Sequence, residues 1–470
     1  MKRSVVVAFG CVLIALAARG QTNLHVVASD GAWTWFNDPR AVFEQGRLVV
    51  AYVRNGDGRS VLSSYNPSNG VATTLWTSSW SERDDHDCAG LLPLQDGRMM
   101  AFYANHSSAT NFAYRLSANA LNPATWGPER IVGNGALVTY ANPYQLSAEN
   151  GRIYDFMRAL NYNPTFMTSD NLGTNWSTPQ ILIRTGTGAT RPYVKYASDY
   201  SSRIDFLYTD AHPNEGTNSL YHAYYQNGAL YRTDGAFLKY LTNAPLLHDA
   251  GERGSLIYQH NTAPSSDFND HMPGGRAWCW EIVYGKDSNP VCVFTVQRDN
   301  VTGPDWSDDR IYYYYARWTG SNWQKRFMAQ AGRPLYDAER DYAGGICIDP
   351  EEPGTIYLSS NAADPFRLDN IDDVPLRAES RYELFRGVTV DGGLTFHWTA
   401  LTTNSAADNL RPYVPRRRNG TPALIWFRGQ YAAYSSFNCS VVALLTNEVR
   451  TAPSVRILSP AAALNHLPTD

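Results

Sequence analysis

The chain has 470 residues, with 40 Lys and Arg set against 44 Asp and Glu for a formal net charge of −4. The basic residues are scattered, which excludes the electrostatic footprint of a general nucleic-acid or anionic-membrane binder. Its 30 Tyr, 13 Trp and 35 Gly favour half-buried strands joined by many turns, and no long amphipathic helix is evident.

At the N-terminus, Lys2 and Arg3 precede an apolar run from Val5 to Ala18 with small residues at Ala15 and Ala17. This is the pattern of a secretory signal over residues 1–20, too short and wrongly flanked for a membrane anchor. A secreted or periplasmic protein is expected, with no membrane span. Loss of Cys11 with the leader leaves Cys88, Cys279, Cys292, Cys347 and Cys439, an odd set that cannot pair completely. Cys279 and Cys292 flank one hairpin and could be bridged, but the favoured reading is that they are small buried residues, and no spacing matches a zinc site.

From Gly46 onward one pattern recurs seven times: a chain reversal, then an apolar strand. It reads GRLVVAYV from Gly46, GRMMAFYA from Gly97, GRIYDFMR from Gly151, SRIDFLYT from Ser202, NPVCVFTV from Asn289, GTIYLSSN from Gly354 and GTPALIWF from Gly420. The intervals are 51, 54, 51, 87, 65 and 66 residues. An all-strand repeat of this period predicts an all-β fold, a seven-bladed β-propeller with four antiparallel strands per blade. It forms a single domain over residues 21–450, and residues 451–470 read as a tail or linker. Outer hairpins follow the repeats, as in LYHAYYQNGALYRTD from Leu220 and IYYYYARWTGSNWQKRF from Ile311. The turns SDNLGTNW from Ser169 and VDGGLTFHW from Val390 resemble the Asp-box of sialidase-type propellers, which makes Asp170 and Asp391 structural ties. The insertion from Ala236 to Arg276 is the one long departure from the repeat.

Within each blade, the start of the first strand lies beside the end of the second, so both open on one rim. Eleven residues before the first four repeats stand Trp35, His86, Tyr140 and Arg191. Later blades offer Trp278 with Arg276, Tyr342 and Arg411 near the same register. The ends of the second strands bring His106, Arg158, Asp210 with His212, and Arg428. Arg191 and Arg411 each open the tripeptide Arg-Pro-Tyr, which adds Tyr193. Arginines beside His and Tyr suit an anionic group, because the guanidinium fork matches a carboxylate or sulfate. No pair of carboxylates shares the register, which counts against the machinery of most glycosidases. Elimination from an acidic polysaccharide fits instead: Arg neutralises a uronate, a base takes the adjacent proton, and an acid protonates the leaving oxygen.

The segments DDHDCAGLLPLQDGRMMAFYANHS, TYANPYQLS, IYDFMR, RPYVKYAS and FLYTDAHP, with the later YAGGICIDP, DNLRPYVPR and WFRGQYAAY, carry a family resemblance. They resemble the BNR-repeat propeller family that includes ulvan lyases and rhamnosyl-glucuronate lyases, with relatives described as α-L-rhamnosidases. The resemblance implies a catalytic set of two His, one Tyr and one Arg, falling on His86, His106, Tyr140 and Arg158. Arg191, Tyr193, His212, Tyr342, Arg411 and Arg428 are the expected substrate-binding groups. Base and acid roles stay open among His86, His106 and Tyr140. The expected partner is an acidic polysaccharide or oligosaccharide, with no nucleic acid. Alternatives are an exo-acting α-L-rhamnosidase or a non-catalytic acidic-sugar-binding propeller. No cofactor is required. Some relatives hold a structural metal; His212, His260 and His271 are possible ligands, but they form no compact pattern and no metal site is assigned.

Overall fold

The computed structural model describes residues 24–186, 190–299, 309–368, 371, 381–420 and 422–445. The leader at 1–20 and the tail at 451–470 lie outside the described residues. Seven sheets form the blades of a propeller. Each repeated segment is the second strand of its blade: Arg47–Val53, Met99–Ala104, Arg152–Ala159, Arg203–Thr209, Pro290–Arg298, Thr355–Ser360 and Ala423–Ala433. These strands read as nearly continuous apolar runs because a neighbouring blade covers each face of the sheet, so period-two alternation is lost. Met99–Ala104, for instance, is buried at every position.

The ring closes through its ends. His25–Ala28 pairs antiparallel with Ser436–Leu445 and supplies the fourth strand of blade seven, with His25 opposite Ala443. The closure leaves no open edge between the first and last blades. Blade four departs from four strands. Part of the insertion folds back as Phe237–Tyr240 and Ser255–Tyr258 to widen its outer edge, and Leu246–Leu247 pairs in parallel with Ile183–Arg184.

Inside the hub, polar groups from four blades form a plug. Lys195 of blade four, 1% exposed, donates to the Trp35 carbonyl and to Asp38, and Arg40 Nη1 lies 3.3 Å from Asp38. Glu281 of blade five faces Arg416 of blade seven at 3.7 Å. Burial, partly offset by Arg416, pushes the Glu281 carboxyl up to about 7. Trp35 stacks flat on Trp280 at 4.1 Å above these charges and also meets Trp278 and Tyr342 edge-on. Trp35, expected on the rim, is therefore the floor of the mouth.

One sequence expectation is borne out and one is corrected. The five cysteines are free and buried, and no disulfide joins Cys279 to Cys292. Cys279 stands opposite Phe294, and Cys292 opposite Ile282, so the two thiols occupy different rungs of the hairpin. In the first Asp-box turn the tie is Asn171, whose Oδ1 accepts from Asn175 N at 2.8 Å. It matches Asp391, which accepts from Thr395 N at 3.0 Å in blade six. Asp170 instead lies on the surface against Arg152. Gly173 in that turn has φ +82, and its carbonyl receives the Tyr114 hydroxyl of blade two at 2.7 Å. An added Cβ would stand 2.6 Å from the Tyr114 ring. Gly173→Ala should cost about 2 kcal/mol in urea unfolding, from backbone strain plus displacement of Tyr114. Asp170→Ala should change stability by less than about 0.5 kcal/mol, as for an exposed ion pair.

Candidate active site

The mouth is built on a turn rather than a strand. Asp84 caps a short 3-10 turn, Asp85–Asp87, by accepting from His86 N at 2.9 Å. The blade-two hairpin pairs Gly90 with Phe102. Extending that register past the strand ends sets positions 86 and 106 opposite one another, and the two imidazoles stack at 3.9 Å and 9°. Asp84 bridges them: Oδ1 is 2.6 Å from His86 Nδ1, and Oδ2 is 2.8 Å from His106 Nδ1. Asp85 Oδ1 adds a second carboxylate 3.1 Å from His86 Nδ1.

The pair is electrostatically unequal. Burial opposes charge on His86, but Asp84 and then Asp85 outweigh it and raise the imidazole to about 9. Burial, reinforced by the cationic His86, lowers His106 to about 4 despite its bond to Asp84. Asp84 itself is held far below the carboxylate range, because the two imidazoles overcome the effect of burial. Between these limits His86 is a cation and His106 is neutral. With its Nδ1–H committed to Asp84, His106 presents a lone pair at Nε2. His106 is also the more open of the two, at 21% side-chain exposure against 2%.

Blade three supplies phenol and guanidinium. A bulge at the start of Thr139–Leu146 places Thr139 opposite Arg158 and leaves Tyr140 at φ 70. Positive φ recurs in the inner strands of other blades, at Arg191 (φ 49) and Gly345 (φ 114) just before two of them and at Arg411 (φ 51) in the bulge of Asp408–Tyr413. Non-glycine residues are strained there, and such strain collects where side chains are aimed for function. The Tyr140 ring is 5.6 Å from His86, and the Arg158 guanidinium lies 5.0 Å over it. Burial first, then the Tyr193 oxygen, drives the Tyr140 hydroxyl well above its ordinary value, so it keeps its proton. That hydroxyl lies near Tyr193 without a well-formed hydrogen bond among the described residues. Arg158 donates through Nη1 to Tyr193 Oη at 2.7 Å and through Nη2 to Thr139 Oγ1 at 3.3 Å.

Other expected residues divide. Tyr193 and Tyr342 join the cluster, the latter with its hydroxyl 3.5 Å from His86 Nε2. His212 packs on Tyr193 and Trp278, and burial, reinforced by the charge of Arg191, pushes its imidazole down to about 3. Arg411 is corrected: it is 1% exposed and holds Asp85 Oδ2 at 3.0 Å, Trp33 O at 2.9 Å and Tyr431 Oη at 3.0 Å. It anchors the histidine turn from beneath rather than facing ligand. Arg428 stands opposite Asn409 and Ser440 in blade seven, and no hydrogen bond or ring contact ties it to the histidine pair among the described residues. Asp210 turns to Ser219 N and His248 instead.

His212, His260 and His271 do not converge, since His260 bonds Gly275 O and His271 bonds Asp270 and Ala263 O. The described group with metal-like composition is Asp84, His86 and His106, whose ligand atoms lie within 4.8 Å of one another. Its parallel rings both direct Nδ1 at Asp84, the arrangement of a hydrogen-bonded carboxylate. Sequence reading missed Asp84, Asn37 and Tyr434. Asn37 of blade one donates to His86 O at 2.8 Å and accepts from Ala141 N at 2.8 Å, locking the histidine turn to the tyrosine strand. Tyr434 meets both imidazoles edge-on at 5.1 and 5.3 Å.

A seven-bladed propeller with a His, Tyr and Arg cluster at one mouth defines the class. The chain belongs to the BNR repeat-containing family, whose profile matches residues 42–331. Among solved structures it is similar to an ulvan lyase described as a new polysaccharide lyase family, PL25, bound to -[GlcA(1-4)Rha3S]-. Identity is 13%, the TM-score is 0.62, and the match covers 90% of this chain and 96% of that one. An α-L-arabinofuranosidase from Fusarium graminearum matches at 12% identity and TM-score 0.42, over 77% of this chain and 94% of that one. A sequence search of curated proteins finds no match.

Because Asp84 is the largest favourable influence on the His86 charge, Asp84→Asn should move the His86 titration from about 9 down toward the ordinary histidine range. Imidazole nitrogen NMR across a pH series checks this; an unmoved His86 resonance would contradict the bridge.

Proposed function

We propose that the protein is an exported polysaccharide lyase that cleaves beside a uronic acid in a rhamnose-containing acidic glycan, of ulvan or rhamnosyl-glucuronate type. The observation that carries this reading is the carboxylate-bridged histidine pair standing beside a protonated phenol and a guanidinium. Arg158, aided by Arg191, binds the uronate carboxylate and lowers the cost of negative charge on the adjacent carbon. His106 Nε2 removes the proton from that carbon. The electron pair forms a carbon–carbon double bond, the bond from the neighbouring carbon to the glycosidic oxygen breaks, and Tyr140 Oη gives its proton to the departing oxygen. His86 stays cationic and stabilises the developing charge. Tyr140 and His106 then return to their starting states by exchanging protons with solvent.

Asp84, the carboxylate between the two imidazoles, has both oxygens occupied and is not free to act as one of a glycosidase's paired carboxylates. The leader pattern at residues 1–20 supports export. Among the described residues no helix is long and apolar enough to cross a membrane.

Absorbance of unsaturated uronate on ulvan or a rhamnosyl-glucuronate glycan tests the reaction; free rhamnose without that absorbance would mean hydrolysis, and neither product would mean binding alone. His106→Ala and Tyr140→Phe should each lower turnover at least about a hundredfold with folding retained. Wild-type rates in both would overturn the assignments. Arg158→Lys should also be costly, about tenfold or more, since a point charge cannot replace the planar fork. The rate should plateau where His106 is neutral and His86 charged, falling as pH drops toward about 4 and as it climbs past about 9. A profile centred on a single ordinary histidine titration would contradict the unequal pair.

A further inference from the structure

The hub has a second end. Residues of the mouth stand where the first strand of a blade begins, as Tyr140 does at the start of Thr139–Leu146 and His86 does just before Gly90–Pro93. At the opposite end, the turns that join first to second strands surround a cavity of about 440 Å³. Leu94 of blade two, Tyr200 of blade four, Pro350 of blade six and Arg416 of blade seven line it from those turns. Gln145 of blade three and Pro39 of blade one complete the wall. Arg416 also faces Glu281, so the hub plug lies between this cavity and the Trp35 floor of the mouth.

The backbone of Arg416 is held by blade one: its N donates to Ala41 O at 3.1 Å, and its O accepts from Phe43 N at 2.9 Å. The side chain, 17% exposed, has Glu281 at 3.7 Å and makes no hydrogen bond among the described residues. Glu281 is engaged elsewhere, since its Oε2 accepts from Ile348 N at 2.8 Å. Within the plug, Lys195, Arg40 and Arg416 stand against Asp38 and Glu281, three cations to two carboxylates. The charges at the rim are matched locally. Arg417 lies 3.6 Å from Glu44, and Glu351 accepts from Arg418 N at 2.8 Å and Gly420 N at 2.7 Å. A guanidinium fork without hydrogen-bond partners, set in a cavity of ligand size and walled largely by apolar side chains, matches a carboxylate carried on an apolar body.

We propose that this cavity is a second ligand site, separate from the mouth, which takes a small monocarboxylate with an apolar body. The carboxylate lies on the Arg416 fork and supplies the anion that balances the plug. The body packs on Pro39, Leu94 and Pro350. A sugar acid fits less well, because its hydroxyls would face prolines and a leucine that offer them no partner. Binding here involves no covalent step and is independent of which bond is cleaved at the mouth.

NMR titration with benzoate, benzyl alcohol and glucuronate tests the site in the wild-type protein and in Arg416→Gln, Gln95→Trp and Arg158→Lys variants. Gln95 is an exposed residue of the cavity wall, so Trp there fills the space without touching the plug. Benzoate should saturate one site and bind at least about tenfold tighter than either other probe, as expected for a charged hydrogen-bonded contact. Arg416→Gln and Gln95→Trp should each weaken benzoate about tenfold or more, and Arg158→Lys should leave it within about twofold. Should Arg416→Gln fail to fold, Gln95→Trp alone decides. Absent benzoate binding, or binding that survives Gln95→Trp, would overturn the site. Loss of benzoate in Arg158→Lys would place the acid at the mouth and also overturn it. Equal binding of benzyl alcohol would remove the role of the Arg416 fork, and tighter binding of glucuronate would remove that of the apolar wall; either result overturns the proposal.

Discussion

One carboxylate organises the mouth of this propeller. Asp84 holds an imidazole on each oxygen, and that single bridge fixes the distance between two blade-two residues, the tautomer of His106 and the charge of His86. Two strongly coupled imidazoles lose their protons in separate steps, and their surroundings decide which ring keeps the charge. Here the asymmetry arises from depth. His86 sits lower, with a second carboxylate beside it, and His106 opens toward the mouth. The Asp84 bond fixes the ring of His106, and burial, reinforced by the neighbouring positive charge, keeps it neutral.

The bridge depends on packing from distant parts of the chain. Arg411 and Tyr431 of blade seven hold Asp85, and Asn37 at the entry to blade one holds the carbonyl of His86 and the backbone of blade three. The first and last blades are themselves joined by the N-terminal strand. Ring closure and site geometry are therefore one problem: opening the ring would free the anchors of the histidine turn. The hub plug of Lys195, Asp38, Glu281 and Arg416 performs a different task. Burying charge there is expensive, and its pairing beneath Trp35 gives the mouth a rigid floor.

The fold was legible because the repeated second strands differ in sequence but share a turn and an apolar run, and every one occupies the same place in its blade. The regular spacing of the early blades also located His86, Tyr140 and Arg191, and antiparallel pairing located His106 and Arg158. Asp84 escaped notice because it lies outside the counted register and acts through a 3-10 turn that strand reasoning does not anticipate. Arg411 shows the opposite error. It lies within two residues of the register of Arg191 and opens the same Arg-Pro-Tyr tripeptide, yet it points inward to Asp85, so the shared motif left the side-chain destination open. In the Asp-box turn, a shift of one residue moved the tie from Asp170 to Asn171, because Asn supplies the same acceptor oxygen.

The most direct measurement of the central claim is a crystal structure of the His106→Ala protein with a glucuronate-containing oligosaccharide. The account predicts the sugar carboxylate on the Arg158 guanidinium, the adjacent C–H facing the emptied position 106, and the glycosidic oxygen within reach of Tyr140 Oη. A sugar bound at the opposite end of the hub, or at this mouth with its carboxylate turned away from Arg158, would contradict it.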